Sequence, residues 1–262
     1  MPVRLGAVSY LNARPLVFGL GAQASRFSLR FDVPSKCAAL LHERSIDVGL
    51  IPSIEYWQRA DYHIVPDVAI ASQQRVASVA LFTARPISEI RTIAIDISSR
   101  TSVMLLRILC ARRFEISPQL VALPPDLSTM LERCDAALMI GDPALFADPK
   151  VLGVQKIDLG EEWRAMAGLP FVYAFWAGRP GAISAGDVDR LREAKRAGAS
   201  HVEEVAREYF GDDSAKVAVG ARYLCENVSF DLGDAEREGL RRFYEYAAEL
   251  GFAPAAGTLR FY

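Results

Sequence analysis

The segment of residues 9–14 carries four side chains that suit the binding of a small polar ligand. Ser9 supplies a hydroxyl, Tyr10 a phenol, Asn12 an amide and Arg14 a guanidinium, directly after an apolar run that is typical of a strand. Pro15 suits the first position of a helix. The same spacing fits a capping loop, with Asn12 as the helix cap and Arg14 in solvent. Spacing alone leaves both interpretations open.

A second segment, residues 98–102, is rich in hydroxyl groups and lies between an apolar strand and an apolar helix. Ser98, Ser99, Thr101 and Ser102 place four hydroxyls in five positions. Hydroxyls and free backbone N–H groups at a helix N-terminus form a site for an anion. Arg100 would add a bidentate partner for a carboxylate. The alternative is that one hydroxyl caps the helix, but this density of hydroxyls favours anion binding.

Further candidates lie beside other apolar strands. Gly141 permits close approach of a ligand to the backbone, whereas Asp142 alone is better suited to capping the next helix. Ser53 begins a helical turn after the apolar strand 46–51. Ser78 lies inside the apolar strand 76–82, where a hydroxyl usually bonds a neighbouring backbone carbonyl. For Ser78 this structural interpretation is the better one without further information.

No pattern for a metal, a cofactor or a covalent nucleophile is present. The cysteines are far apart and lie in apolar stretches that are typical of reduced core thiols. The histidines are scattered, without the spacing of metal ligands. Neither a Gly-rich phosphate loop nor a nucleophile elbow can be placed. The sequence therefore predicts that no metal and no cofactor is bound.

The composition argues against several classes of partner. Lys plus Arg total 30 and Asp plus Glu total 32 in 262 residues, so no basic field attracts nucleic acid or anionic lipid. No apolar run reaches the roughly 18 residues that a membrane span needs. Asn12, Arg14 and Pro15 break the first apolar run, unlike in an export signal. We expect a cytoplasmic protein with a small-molecule partner, no nucleic acid and no membrane; the oligomeric state stays open.

Strands and helices alternate along the chain, which predicts an α/β protein with mainly parallel sheet. Strands are expected at 3–10, 27–33, 46–51, 76–82, 92–97, 119–123, 136–140 and 171–177, and helices at 34–44, 102–114, 187–210, 213–226 and 233–250. Residues 45–52 and 134–142 repeat one strand–turn–helix pattern, which indicates two similar lobes. We expect one lobe to hold residues 1–84 and 186–262, and the other residues 85–185. Ligands bind beyond the carboxyl ends of such strands, so the loops after residues 10, 51, 97 and 140 are the candidate ligand-binding loops.

The polar segments also resemble a known family. The likeness to chorismate dehydratases of the futalosine route to menaquinone runs in order through nearly the whole chain. It covers residues 8–16, 47–53, 98–102, 141–142, 158–160, 163, 168–172 and 239–244. The resemblance implies the fold of type 2 periplasmic binding proteins, with a ligand cleft between two α/β lobes.

The resemblance also implies an activity: loss of water from chorismate to give 3-[(1-carboxyvinyl)oxy]benzoate. We expect Asn12 and Ser78 to act in catalysis by orienting the reacting groups. Substrate contacts are expected from Ser9, Tyr10, Arg14, Ser53, Ser99, Arg100, Thr101, Ser102, Gly141 and Asp142. No His or Glu base is evident on these loops, so a carboxylate of the substrate itself is expected to remove the proton.

Two other functions remain as alternatives. One is the sibling enzyme of the same route, a 1,4-dihydroxy-6-naphthoate synthase, which shares the fold but differs in its opening loop. The other is a solute-binding protein without catalytic activity, which would need an export or lipidation signal.

Overall fold

Two five-stranded β-sheets form the framework of the computed structural model, which describes residues 1–57, 61–96, 98–254 and 257–262. The strands are β1 Val3–Val8, β2 Phe27–Asp32, β3 Val48–Pro52, β4 His63–Ser72, β5 Val79–Thr83, β6 Thr92–Ile95, β7 Gln119–Ala122, β8 Ala136–Ile140, β9 Gln155–Asp158 and β10 Phe171–Gly178. The first sheet has the order β2-β1-β3-β10-β4 and the second the order β7-β6-β8-β5-β9. The two sheets therefore repeat one topology, as the duplicated sequence pattern predicts.

The helices pack around these sheets. They are α1 Pro34–His42, α2 Ser53–Tyr56, α3 Arg100–Leu109, α4 Leu127–Arg133, α5 Gly141–Phe146, α6 Pro149–Leu152, α7 Leu159–Ala167, α8 Ala185–Ser200, α9 Val202–Phe210, α10 Ser214–Glu226 and α11 Asp234–Glu249. Shorter 3₁₀ turns span Leu11–Val17, Leu20–Gln23 and Ile87–Glu89, and a π-helical turn, Cys110–Phe114, continues α3. The α/β class is as predicted.

The expectation of mainly parallel pairing needs a correction. In each sheet two of the strand pairings are parallel and the other two antiparallel, because β10 and β5 run against their neighbours. β5 and β10 are also the strands that come directly after the two points where the chain passes from one sheet to the other. β5 begins beside Ile140, the last residue of β8, and Ala174, in the first half of β10, lies beside Pro52, the last residue of β3, so each crossing strand runs in the opposite direction to its neighbour.

The pairing also corrects where the chain crosses. The expected boundaries at residues 84 and 185 would leave β5 with the first sheet and β10 with the second. Instead β5 pairs with β8 and β9, and β10 pairs with β3 and β4. The crossings therefore fall at residues 73–78 and 168–170. Both strands are fully buried apolar runs, so local composition does not distinguish their sheets. The assignment of residues to two folding units stays a prediction.

Several element bounds differ from the sequence prediction. The expected helix over 187–210 is interrupted at His201, which separates α8 from α9. α3 begins at Arg100 rather than Ser102. Strands β4 and β9 were not predicted, and Ile97, the predicted end of β6, lies outside the described residues.

Close packing against α8 positions the first polar segment. The 3₁₀ turn Leu11–Val17 lies against α8 at Gly198, where any β-carbon would overlap the backbone of Pro15. The Ser184 hydroxyl and the Asp187 carboxylate form a capping box that fixes the start of α8. Asn12 therefore lies on a turn that is held by a well-capped helix.

Candidate active site

A cleft lies between the two sheets, at the ends of β1, β3, β5 and β8. Together with the open solvent at its mouth, the cleft encloses about 530 Å³ of empty space. The described residues that line it are Val8, Tyr10, Asn12, Pro34, Pro52, Ile70, Val76, Ser78, Val79, Ser99, Arg100, Thr101, Ser102, Ile140, Gly141, Tyr173 and Ala174. Eight of the twelve predicted site residues are in this set, although they come from different parts of the chain.

The buried hydroxyl of Tyr223 lies directly behind Ser78, and the Asn12 side chain influences it. Ser78 Oγ lies 2.7 Å from this hydroxyl, and the neighbouring Asn12 side chain opposes the rise in the Tyr223 pKa. Burial raises the pKa of Tyr223 well above its ordinary value, so the phenol is neutral. Asn12 Oδ1 is buried and has no hydrogen-bond partner among the described residues. A free acceptor in a cleft is a place for a ligand donor.

The backbone before Ser78 is held in an unusual conformation by Asp158. Ala77 has a φ of 63°, in the left-handed region that side chains with a β-carbon disfavour. The Asp158 carboxylate accepts hydrogen bonds from the amides of Val76 and Ala77 at 3.0 and 2.6 Å, and from Gly160 at 3.0 Å. Asp158 thus positions Ser78, a role that the sequence did not reveal because 80 residues separate them.

The hydroxyls of residues 98–102 are divided between structure and cleft. Ser98 donates to Asp96, and Thr101 Oγ1 accepts from the backbone amide of Ile54 at 3.2 Å. Ser99 and Ser102 line the cleft, and neither makes a side-chain hydrogen bond within the described part of the chain. Ser99 precedes α3 without capping it. Two hydroxyls at the start of α3 therefore remain for an anion, together with the amide groups of its first turn.

Arg100 is held by Glu55, a residue that the sequence analysis missed. Arg100 Nη1 lies 2.9 Å from Glu55 Oε2, and His42 Nε2 lies 3.1 Å from the same oxygen. His42 Nδ1 contacts the Tyr62 hydroxyl at 2.9 Å. Burial would raise the pKa of Glu55, but the hydrogen bonds from His42 and Arg100 outweigh it and hold the pKa below its ordinary value. The sequence signal that could have identified Glu55 is an acidic residue two positions after Ser53, at the end of a buried strand.

Tyr10 and Gly141 meet across the cleft. Gly141 has a φ of 65°, and a β-carbon on it would lie 2.8 Å from the Tyr10 ring. The Gly141 amide donates to the carbonyl of Ser78 at 2.8 Å. Burial, together with the charges of Asp96 and Asp142, raises the pKa of Tyr10 to about 12, so its phenol remains a hydrogen-bond donor. Glycine at position 141 is what allows this aromatic ring to face the second sheet.

Four predicted contact residues do not line the cleft. Asp142 accepts hydrogen bonds from the Leu11 amide and the Tyr209 hydroxyl, and burial raises its pKa despite these bonds. The Tyr209 hydroxyl also lies 3.1 Å from the Ser9 carbonyl. The Arg14 guanidinium stacks between the rings of Phe31 and Tyr209.

Ser53 is the fourth residue outside the lining. Its hydroxyl donates to the Val172 carbonyl at 2.8 Å, and it lies 3.4 Å from Thr101 Oγ1. The hydrogen bonds of Ser53 and Asp142 connect parts of the chain that belong to different sheets. The expectation that Asp142 caps a helix is therefore corrected, because its carboxylate links the two parts of the structure instead. Side-chain direction decides these roles, and sequence spacing does not show it.

The lining has a distinctive chemistry. Its described members carry hydroxyl, phenol, amide and guanidinium groups but no carboxylate and no imidazole. The described residues form no cluster of three or more His, Cys, Asp or Glu that would suit a metal ion. Among those same residues, no helix has the length and apolar character to cross a membrane. Such a lining is suited to donating hydrogen bonds to an anionic ligand, and its described members offer no carboxylate or imidazole base.

Known proteins resemble this chain in sequence and in fold. Residues 3–249 match a family described as menaquinone biosynthesis. A protein of Thermus thermophilus named chorismate dehydratase is 30% identical over 274 residues, and the match covers 97% of each chain.

Solved structures show the fold. A protein of Archaeoglobus fulgidus aligns with a TM-score of 0.75 at 16% identity, over 95% of this chain and 98% of that one. The periplasmic aliphatic sulphonate binding protein of Escherichia coli aligns with a TM-score of 0.65 at 16% identity, over 97% of this chain and 88% of that one. The predicted periplasmic-binding-protein-like fold is thereby confirmed.

Proposed function

Because the chain belongs to the menaquinone biosynthesis family, we propose that it is a chorismate dehydratase, a hydro-lyase. The observation that carries this proposal is the match to the Thermus thermophilus enzyme over almost the full length of both chains. The cleft supports it, since chorismate is a small dianion with one hydroxyl and the lining presents donors without competing negative charge.

The reaction removes the C3 proton and the C4 hydroxyl of chorismate. The C3–H and C4–O bonds break, a C3–C4 double bond forms, and the proton and the hydroxide leave together as water. The new double bond completes an aromatic ring, which drives the reaction. The C3 proton is vinylogous to the ring carboxylate, so negative charge moves onto that carboxylate as the proton leaves. Positioned donors at the carboxylate lower this barrier.

We assign the binding of a carboxylate to the start of α3. Ser99, Ser102 and the first-turn amides supply hydrogen bonds, and Arg100 supplies positive charge. The ion pair with Glu55 fixes the guanidinium at this wall of the cleft. Thr101 contributes indirectly, because its hydroxyl holds α3 against Ile54.

We assign the orientation of the reacting carbon atoms to Asn12 and Ser78. The proton acceptor is then a carboxylate of the substrate, because the described lining has neither a carboxylate nor an imidazole. That carboxylate takes the C3 proton and passes it to the departing hydroxide, which leaves as water. This substrate-assisted route requires that no Asp, Glu or His substitution abolishes turnover while chorismate affinity is kept.

The experiment is incubation of the protein with chorismate, followed by ultraviolet absorbance and mass spectrometry. The expected result is an aromatic product that is 18 mass units lighter, one water, with the Asn12→Ala protein as a matched control. Tight binding without turnover would overturn the proposal in favour of a solute-binding protein. Chorismate that is neither bound nor converted would favour the naphthoate-forming sibling enzyme.

We also propose the cytoplasm as the place of action. The four cysteines are free thiols, as is usual in a reducing compartment.

A further inference from the structure

Two consecutive residues at the start of α5, Gly141 and Asp142, contact the segments that carry Ser78 and Asn12. The Gly141 amide donates to the Ser78 carbonyl at 2.8 Å. Asp142 Oδ1 accepts a hydrogen bond from the Leu11 amide at 3.2 Å, and Leu11 directly precedes Asn12 in the chain. Adjacent residues of one helix therefore hold two segments that are far apart in the sequence.

The Leu11 amide needs an acceptor from outside its own turn. Leu11 is buried and begins the turn Leu11–Val17, where the first backbone amides have no acceptor within the turn. Tyr10, the residue before the turn, forms no side-chain capping bond. The Asp142 carboxylate supplies the acceptor through Oδ1, and its Oδ2 lies 2.5 Å from the Tyr209 hydroxyl on α9. The carboxylate is thus held on both sides, which fixes the place of the Leu11 amide.

The position of Asn12 in the cleft depends on the backbone of this turn. Asn12 Oδ1 is buried and has no hydrogen-bond partner in the described part of the chain, so no bond at this oxygen holds the side chain in place. The later part of the turn is held at Pro15, which packs against Gly198 of α8. The beginning is held at Leu11 by Asp142. A change at Asp142 therefore acts on the backbone next to Asn12.

We propose that Asp142 is a positioning residue that fixes Asn12 relative to Ser78, the two residues that orient the reacting atoms. This inference rests on the proposed function. Asp142 holds one of them through the Leu11 amide, while the adjacent Gly141 holds the other through its backbone carbonyl. Asp142 is outside the described lining of the cleft, so it acts through the backbone and not on the substrate. A displacement of about 1 Å at a reacting group can lower a rate about a hundredfold.

The first test compares Asp142→Ala with Asp126→Ala. The Asp126 carboxylate also accepts from a backbone amide, that of Thr129 at 2.9 Å, but it caps α4 away from the described lining of the cleft. We expect both changes to lower the melting temperature. Only Asp142→Ala should lower kcat, about ten- to fiftyfold and with a smaller change in KM, without abolishing turnover. Equal kcat values in the two variants would overturn the proposal.

A double variant tests whether Asp142 acts through Asn12. In an Asn12→Ala protein, Asp142→Ala should lower kcat little further, because the group that it positions is already gone. Its effect on the melting temperature should persist, because the hydrogen bond to the Leu11 amide is still there to be lost. Losses of kcat that multiply in the double variant would show that Asp142 serves turnover by another route, against the proposal.

Two substitutions keep the proposal testable if Asp142→Ala fails to fold. Asp142→Asn keeps an oxygen that can accept from the Leu11 amide but loses the charge, whereas Asp142→Glu keeps the charge on a longer side chain. We expect Asp142→Asn to retain kcat within about fivefold of the parent protein and Asp142→Glu to lose more. The opposite order would overturn the proposal, because the charge of Asp142 and not its reach would then serve turnover.

Amide hydrogen exchange tests the same contact without turnover. Asp142→Ala should speed exchange of the Leu11 amide about tenfold or more, and Asp126→Ala should leave it unchanged. An unchanged exchange rate at Leu11 in Asp142→Ala would overturn the proposal. Faster exchange in this variant, together with a parent protein that does not convert chorismate, would instead overturn the proposed function and leave Asp142 as the residue that holds the turn.

Discussion

Glu55 and Arg100 form an ion pair that joins the two sheets beneath the cleft. The guanidinium Nη1 of Arg100, at the start of α3, lies 2.9 Å from Oε2 of Glu55 on α2. The carboxylate side chain is fully buried and also contacts His42. The guanidinium that we propose as a ligand contact is thereby held by a carboxylate that solvent does not reach.

This ion pair predicts a pH-dependent contribution to stability. Because the folded protein holds the pKa of Glu55 below the ordinary 4.5, its contribution is complete above that value and is lost as the pH falls through the folded pKa. Glu55→Gln should lower the free energy of unfolding by about 1–3 kcal/mol at pH 7. Urea unfolding at pH 7 and near pH 3 measures this, and the difference between variant and parent should shrink at the lower pH.

Glu249→Gln is the control for this prediction. Glu249 pairs with Arg112 at the surface, where such ion pairs contribute about 0–1 kcal/mol. A loss of stability in Glu55→Gln that is no larger than in this control, or that is constant with pH, would contradict the buried role of Glu55.

The hydroxyls at the start of α3 should separate into two classes. Ser102→Ala should weaken chorismate binding about tenfold, because it removes a hydrogen bond to a charged group. Thr101→Val removes the acceptor of the Ile54 amide, so it should lower the melting temperature first. Calorimetry and thermal unfolding of both variants test this division. Unchanged affinity in Ser102→Ala would show that this segment serves only the helix.

Asn12→Ala should reduce turnover far more than it reduces stability. Removal of one positioned polar group in an active site often costs about 10²–10³ in rate. No side-chain capping bond is formed at the turn Leu11–Val17, so the loss of about 1 kcal/mol that follows removal of a cap is not expected. Steady-state kinetics and melting curves on one preparation decide the matter. Near-normal turnover with lowered stability would assign Asn12 to the turn.

Gly141→Ala should disturb the cleft, and Gly153→Ala should not. Both glycines have a positive φ, 65° and 64°, so alanine strains the backbone equally at the two positions. Only at position 141 would the β-carbon meet a neighbour, the Tyr10 ring at 2.8 Å. We expect a similar strain in both variants but a further loss of stability and chorismate affinity in Gly141→Ala. Matching affinities in the two variants would mean that the Tyr10 contact is irrelevant to binding.

Much of the candidate site could be predicted from local sequence. Hydroxyl, amide and guanidinium groups follow buried apolar strands, and in an α/β fold these strand ends meet at one cleft. Asn12 and Ser102 line that cleft as expected, and so does Ser78, for which local sequence favoured a structural role and only the family resemblance implied a place in the site. The duplicated strand–turn–helix pattern likewise predicted two similar sheets. These inferences depend on periodicity and on residue type, which are properties of a short stretch of chain.

The tertiary structure alone decided the partners of those groups. Tyr223 lies 145 positions from Ser78, and Asp158 lies 81 positions from Ala77, yet each holds its partner by a direct hydrogen bond. It also decided that β5 and β10 change sheets and that the Thr101 hydroxyl, at the cleft wall, bonds the Ile54 amide. A hydrogen bond depends on distances and angles within a few tenths of an ångström and a few tens of degrees. Packing of the whole chain sets such geometry, because no local periodicity specifies which distant side chain a buried polar group will meet.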